Sequence, residues 1–312
     1  MTTARTTATA FAPASVANVA IGFDILGFSV GAIGDRATVR RTATPGVTIK
    51  AIRGVVSDLP LEPAKNTAGR ALEAMIEALA LPFGFELELD KGIPLSSGLG
   101  GSAASAVAAV VAANAVLDQP RTKLELLKFA MQGELVASGS LHVDNIASSL
   151  FGGLVLTVGI DQPRVKQIPV PQQIRAVVVH PHMFLSTRQA RAILKGTVEM
   201  KDFVWQTANL AGFISGCYTN DIDMLREAFE DVVIERQRAA LIPGFNEARR
   251  AAISAGALGC SISGAGPTIF AWCLEPHALA VREAIVMQFT HHGLESDHWI
   301  TVIEPTGAHV VG

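Results

Sequence analysis

Charge is scarce in this chain: only 17% of its 312 residues are charged, and they nearly cancel to a formal net charge of −3. Nucleic-acid binding needs clustered Lys and Arg to neutralise phosphates, so no nucleic-acid partner is expected and small molecules are. Cysteine is also rare. Cys217, Cys260 and Cys273 are odd in number and lack Cys-x-x-Cys spacing, which excludes a disulfide framework and a zinc site and fits a cytoplasmic setting. Long hydrophobic runs are missing too. The longest, Ser105 to Leu117, contains Asn114 and falls short of the roughly 20 residues that cross a bilayer, so no membrane association is expected. Arg5 among Thr and Ala hints at transit-peptide composition, but no apolar h-region follows, and the segment reads as an irregular lead into a strand. Neither an internal repeat nor a low-complexity segment interrupts the chain.

What is present is apolar bulk, 49% of the residues, in a length that suits about two domains or one large one. Extended runs are expected at Thr6 to Ala12, Arg36 to Arg40 and Val47 to Ile52, and a helix from an Asn66 N-cap to Ala80. Phe85, Leu87 and Leu89 alternate with Glu86, Glu88 and Asp90, the period of a half-buried strand. A loop then leads at Gly101 into an Ala-rich helix that must be buried on most sides and that ends at Asp118, Gln119 and Pro120. The next helix, from Thr122, puts Leu127, Met131 and Glu134 at i, i+4 and i+7, so a carboxylate lies on an apolar stripe. Polar residues with Pro163, Pro169 and Pro171 mark the domain boundary between Asp161 and Gln173. Beyond it a strand is expected at Arg175 to His180. Helices are expected near Thr187 to Leu194, Lys201 to Cys217, Ile222 to Phe229 and Phe245 to Ala255, and then strands flanking a glycine turn.

The strongest chemical signal is Pro94-Leu95-Ser96-Ser97-Gly98-Leu99-Gly100-Gly101-Ser102-Ala103-Ala104, where glycines and small residues run straight into a helix. Without Cβ atoms the backbone can curl several N–H groups around one anion, and the helix N-terminus adds fixed positive potential. Ser102 adds a hydroxyl suited to a magnesium-bound phosphate. The loop is not a Walker A motif, because no Lys-Ser or Lys-Thr follows the glycines. Gly98, Gly100 and Ala103 fit a dinucleotide G-x-G-x-x-A, but the residues before them read as loop where that turn needs a strand, so a nicotinamide enzyme is a weaker competitor.

This segment resembles the second motif of the GHMP kinases, Pro-x-x-x-Gly-Leu-Gly-Ser-Ser-Ala-Ala. The one departure is Gly101 for the first Ser, which removes one hydroxyl contact to phosphate. Two further segments resemble the family's other motifs in the family's order: Ala12 to Asn18 continuing through Gly22-Phe23-Asp24-Ile25-Leu26-Gly27, and Ser261-Ile262-Ser263-Gly264-Ala265-Gly266-Pro267-Thr268. Within the superfamily, Ser140 to Asn145, Ser186 to Arg191, and Arg238 ahead of Leu241-Ile242-Pro243-Gly244-Phe245 are similar to the homoserine kinase branch.

The resemblance implies an α+β, two-domain GHMP kinase fold. Residues 1–165 would form an ATP-binding half like domain 2 of ribosomal protein S5, and residues 166–312 a ferredoxin-like half, with the active site between them. It implies ATP and Mg2+, L-homoserine as substrate, a place in threonine biosynthesis, and a homodimer. By the same resemblance Ser102 and Glu134 would hold the metal, Asp24 the substrate ammonium, and Arg191 and Arg238 its carboxylate. Asn18, His142, Asp144 and Asn145 would orient the substrate. Thr187 would face the terminal phosphate, Asn66 the base or ribose, and Pro94 to Ala104 with Gly264 and Gly266 the nucleotide. Asn18, Ser102, Asn145 and Thr187 are thereby the catalytic set, with Asp144 and His142 left open as bases. Two rivals stand beside this reading. A mevalonate- or sugar-type kinase would carry an Asp base and a nearby Lys where this chain has Asn145 and no Lys in its first motif. A non-catalytic metabolite sensor would have lost the metal ligands.

Overall fold

The computed structural model describes residues 5–138, 143–159 and 162–311. One apolar core joins two sheets, and a second lies under the other face of the second sheet. The first contains β1 (Thr7–Ala17), β2 (Leu26–Thr42), β3 (Val47–Gly54), β4 (Gly84–Lys91), β5 (Leu154–Val158) and β6 (Arg164–Ile168). The strand order is β1-β2-β4-β3, with β5 joining the start of β2 and β6 joining β5; only β3 and β4 run parallel. The register of β1 against β2 shifts between Pro13 and Ala14, where proline lacks a ladder N–H. On either side of the shift β2 takes a different second partner: Leu26–Phe28 pairs with β5 and Arg36–Thr42 with β4.

On this sheet lie α1 (Thr67–Leu79), α2 (Gly101–Asn114), α3 (Lys123–Ser138) and α4 (Val143–Phe151). Ala103 to Ala113 of α2 are buried without exception. Their small side chains let α2 approach α1, α3 and the sheet at once. This burial fixes where the helix begins, and so where its N-terminal N–H groups point.

The second sheet is antiparallel, with order β10-β7-β9-β8, from β7 (Ile174–Pro181), β8 (Ala257–Ile262), β9 (Ile269–Leu274) and β10 (Ser296–Thr301). Between β7 and β8 come α5 (Thr187–Ala192), α6 (Met200–Thr219), α7 (Ile222–Ala228), α8 (Glu235–Arg238) and α9 (Phe245–Ser254). The helix α10 (Ala278–His291) connects β9 to β10 and packs on α9 and β7. That is a ferredoxin-like arrangement. Aromatic rings join the sheets: Phe28 of β2 meets Phe270 and Trp272 of β9 at 5.4 and 5.6 Å, and Phe213 and Phe229 close the cluster. All three cysteines are buried and free.

A break after residue 165 would cut through β6, which is laddered to β5; the chain leaves the first sheet only between Ile168 and Ile174. It also comes back. The strand β11 (His309–Val310) pairs with Ala10 and Phe11 of β1. The polar, proline-flanked composition of Asp161 to Gln173 therefore hides a short edge strand, where proline at the ends is tolerated. Among the described residues, no helix is long and apolar enough to cross a membrane.

Candidate active site

The three glycine-bearing segments converge on one cleft of about 640 Å3. Its floor is the loop from Pro94 to Gly101. Ser96, Gly98 and Gly100 have φ of 54°, 80° and 66°, so the loop curls through left-handed backbone before α2 begins. No side chain caps the first turn of α2, whose N-cap is Gly100, so its N–H groups remain available to an anion. Two glycines are dictated by close approach. A Cβ on Gly98 would lie 2.6 Å from Ser263 O and 2.8 Å from Gly266 O, and one on Gly100 would strike Ser15 Oγ and Asn145 Oδ1. Gly101 differs: its φ is not positive, and the nearest atoms to a Cβ would all belong to Ile93, with Cγ2 at 3.2 Å and Cβ at 3.4 Å.

The loop is gripped at both ends by a buried ion pair that sequence reasoning missed. Asp35 Oδ1 accepts the N–H groups of Gly92 and Ile93 at 3.0 and 3.2 Å. Its other oxygen takes Lys91 Nζ and, at 2.7 Å, Ser105 Oγ, while Lys91 Nζ also donates to Gly101 O at 2.9 Å. Asp35 and Lys91 sit 56 residues apart in separate strands, and no spacing rule links them. The only sequence signal was a Lys ending an alternating strand.

The third segment is a clamp. Ser263 Oγ donates to Gly98 O at 2.7 Å, Thr268 N donates to Ser97 O, and Gly264 N donates to Ala17 O. Gly264 O in turn accepts Asn18 Nδ2 at 2.9 Å and Arg238 Nη1 at 2.8 Å. Asn18 Oδ1 accepts Asp24 N, so the amide that was expected to orient substrate also staples the first turn to the third.

Opposite the loop, Arg191 sets both terminal nitrogens on Asp24, at 2.7 and 3.1 Å. The two expected substrate anchors are thus joined to one another. Arg238 is buried, its Nε donating to Ala190 O at 3.0 Å, and burial foremost, then nearby Arg191, pulls its pKa down to about 10. Thr187 opens α5, whose start is fixed by a Ser186–Gln189 capping box. Ser15 Oγ donates to Asn145 Oδ1 at 2.8 Å, and Asp144, buried at the start of α4, accepts Asn145 N at 2.9 Å. Glu134 is 3% exposed, and Ser102 Oγ donates to its Oε1 at 3.1 Å.

A loop built for an anion, facing an acid and two arginines, is what a kinase for a charged small molecule requires. The family model described as GHMP kinases N terminal domain matches residues 66–153, and the one described as GHMP kinases C terminal matches residues 213–289. The chain is 51% identical to a homoserine kinase of Xylella fastidiosa over 97% of its own length and 94% of that protein's. It is 42% identical to one from Chloroherpeton thalassium, over 97% and 99%. A crystal structure of homoserine kinase from Cytophaga hutchinsonii superposes with a TM-score of 0.96 at 39% identity, covering 100% of this chain and 99% of that one. The chain belongs to the homoserine kinase family of GHMP kinases.

In that homoserine kinase framework, Asn18, Asp24, Asn66, Pro94 to Gly98, Gly100 to Ser102, Glu134, Asp144, Asn145, Thr187, Arg191, Arg238 and Gly264 all line the cleft. Leu99, Ala103 and Ala104 do not; their side chains belong to the core. Gly266 lies behind the wall, packed toward Ile242, Ile262 and Leu185. Asn66 borders the cleft but is spent as an N-cap: its Oδ1 accepts Ala68 N and Gly69 N, and its Nδ2 donates to Pro60 O. His142 lies outside the described residues. Ser15, Asp35, Lys91 and Lys65 are site residues that the motif-based reading did not single out.

Proposed function

We propose that this protein transfers the γ-phosphoryl group of ATP to the side-chain hydroxyl of L-homoserine, giving O-phospho-L-homoserine and ADP. One observation carries the reading: the uncapped start of α2 faces, across one cleft, a carboxylate and two guanidinium groups, Asp24, Arg191 and Arg238. An amino acid is the substrate class that presents both an ammonium and a carboxylate to such a set.

Phosphoryl transfer asks mainly for alignment and for neutralisation of charge on the transferred group. The curled loop and the α2 N-terminus offer backbone donors to the phosphates. Ser15 occupies the Asn145 carbonyl oxygen, which leaves the amide N–H2 to hold the substrate hydroxyl. The Thr187 hydroxyl borders the same space from α5. A neutral amide cannot accept the hydroxyl proton, so no general base is assigned: as the oxygen–phosphorus bond forms and ADP leaves, the proton passes to an oxygen of the transferred phosphoryl group or to solvent.

Ser102 and Glu134 suit a magnesium ion: a hydroxyl and a carboxylate oxygen meet within 3.1 Å beside the phosphate loop, hard oxygen donors of the type this ion prefers. Among the described residues no three His, Cys, Asp or Glu side chains cluster to hold a metal, so phosphates and water would complete the coordination. When bound, the ion would offset negative charge on the phosphates. These residue roles, and a cytoplasmic location for the enzyme, are part of the proposal.

A coupled ADP-release assay over L-homoserine, L-threonine, mevalonate and galactose tests it. L-homoserine is expected to lead. L-Threonine keeps both charged groups but holds its hydroxyl one carbon closer to the backbone, short of the phosphate, and so should bind as a poor substrate or an inhibitor. Equal efficiency on mevalonate and L-homoserine would sink the substrate assignment.

A further inference from the structure

The two arginines at the substrate end converge on one aromatic ring. The guanidinium carbon of Arg191 lies over Phe23 at 5.5 Å from the ring centroid, and that of Arg238 lies over the same ring at 5.2 Å. Phe23 itself lines the cleft. Two like charges brought together in a partly dry site repel, and a side chain that merely filled space would leave that repulsion in place. The face of an aromatic ring carries negative potential and attracts a cation within about 6 Å of its centroid.

The ring is held still by the turn that bears it. Gly22 N donates to Asn18 O at 2.8 Å, Ile25 N and Leu26 N both donate to Gly22 O, and Asp24 N donates to Asn18 Oδ1. A Cβ on Gly22 would lie 2.4 Å from Leu26 Cγ, so a larger residue there would have to push the Leu26 side chain and the turn aside. Arg238 uses Nε and Nη1 on backbone carbonyls, and Arg191 uses Nη1 and Nη2 on Asp24, while its buried Nε has no hydrogen-bond partner among the described residues. Each guanidinium is thus tied to a different partner, Arg191 to Asp24 and Arg238 to backbone carbonyls, and no hydrogen bond joins the two; the ring is the element common to both.

We propose that Phe23 is a positioning residue for substrate recognition: its ring face holds Arg191 and Arg238 side by side so that both can meet one carboxylate. This rests on the amino-acid kinase reading above. The consequence is specific. Weakening the ring's negative face should loosen the grip on the carboxylate while leaving the ammonium site and the phosphoryl transfer step alone.

The test changes the electrostatics of the ring at nearly constant shape, by incorporating 3,4,5-trifluorophenylalanine at position 23 and comparing it with the unsubstituted protein and with Phe23→Leu and Phe23→Trp. L-Homoserine and 3-aminopropan-1-ol, which is homoserine without its carboxylate, serve as the two probes, the latter as substrate or competitive inhibitor. The expected result is a rise of about tenfold in KM for L-homoserine in the fluorinated protein, with kcat within about twofold. Phe23→Leu should behave like the fluorinated protein, and Phe23→Trp should restore KM to within about threefold. The constant for 3-aminopropan-1-ol should stay within about twofold throughout. An unchanged KM for L-homoserine on fluorination, or an equal loss for both probes, overturns the proposal even if Phe23→Leu fails to fold. If the unsubstituted protein does not turn over L-homoserine, the functional reading fails and this inference falls with it. Normal turnover with a flat response to fluorination removes this inference alone.

Discussion

Arg191 and Asp24 are 167 residues apart in sequence and share a two-pronged ion pair, with Nη2 and Nη1 at 2.7 and 3.1 Å from the two carboxylate oxygens. Their side chains are 30% and 39% exposed, so the pair itself contributes little to stability, about 1 kcal/mol or less. In the proposed reading its importance is for recognition. A zwitterion can replace each partner's contact with one of its own, whereas a plain carboxylate can draw Arg191 away only by leaving Asp24 without a cation.

Substrate preference should follow that exchange. A charge-assisted hydrogen bond is worth about 1.5–3 kcal/mol, so L-homoserine should exceed mevalonate in kcat/KM by a factor between roughly ten and a hundred. Asp24→Asn should shrink this ratio, and Arg191→Ala should weaken both substrates. An Asp24→Asn protein with unchanged selectivity would argue against the assignment of the ammonium to Asp24.

Ser102 and Glu134, proposed to hold the metal at the phosphate end, would act on a different stage of the reaction. Glu134→Gln and Ser102→Ala should each lower kcat by about a hundredfold, the usual effect of losing one preorganised electrostatic contact, while the Kd for L-homoserine changes little. The readout is turnover against magnesium concentration beside direct titration of the amino acid. Near-normal turnover of Glu134→Gln at low magnesium would remove the metal-holding role.

Two neighbouring glycines should respond in opposite ways. Gly98→Ala forces a Cβ against Ser263 O and Gly266 O at a φ of 80°, so it should lower stability by about 2 kcal/mol or more and raise KM for ATP. Gly101→Ser meets only Ile93 and replaces a poor helix former near the start of α2. It should be neutral or stabilising by up to about 0.5 kcal/mol. Thermal unfolding and ATP titration of the two proteins decide the matter, and a Gly101→Ser protein as damaged as Gly98→Ala would contradict the packing described here.

The paired charges under the loop should be separable from its glycines. Removing one member leaves the other buried alone, so Lys91→Met should cost about 3–5 kcal/mol. Lys91→Met combined with Asp35→Leu should recover part of that loss in a urea titration. The loop ends would still lack their staple, so KM for ATP should stay raised in the double variant.

Stability should also depend on pH through Glu235. Burial lifts its pKa to about 7, against smaller opposing effects of a hydrogen bond with Ser261 and the nearby Arg249. The folded protein therefore holds a proton that the unfolded chain releases from about pH 4.5 upward. The stabilising contribution is complete below that pH and disappears as pH rises through about 7, with a ceiling of about 3 kcal/mol. Glu235→Gln should flatten this fall in urea titrations at pH 5 and pH 8.

Local pattern and tertiary structure divided the protein between them along physical lines. The alternation of Phe85, Leu87 and Leu89, the buried alanine run of α2 and the glycines before it are short-range regularities, and each specifies its own element and the nature of its ligand. Resemblance in three ordered motifs extended that to the family and to most of the cleft-lining residues. Elements without such regularity were not legible. The five-residue β6 lies between prolines, and β11 is only two residues long and exists because β1 offers an open edge. The Lys91–Asp35 pair, the Ser15 bond that orients Asn145, and the capture of Asn66 as a cap depend on distances between segments that no periodicity encodes. Asp24 and Arg191 are the clearest case. Composition made one an anion and the other a cation, but only the fold brought them within 2.7 Å, because an ion pair between distant segments forms where the packing of both has already set their separation.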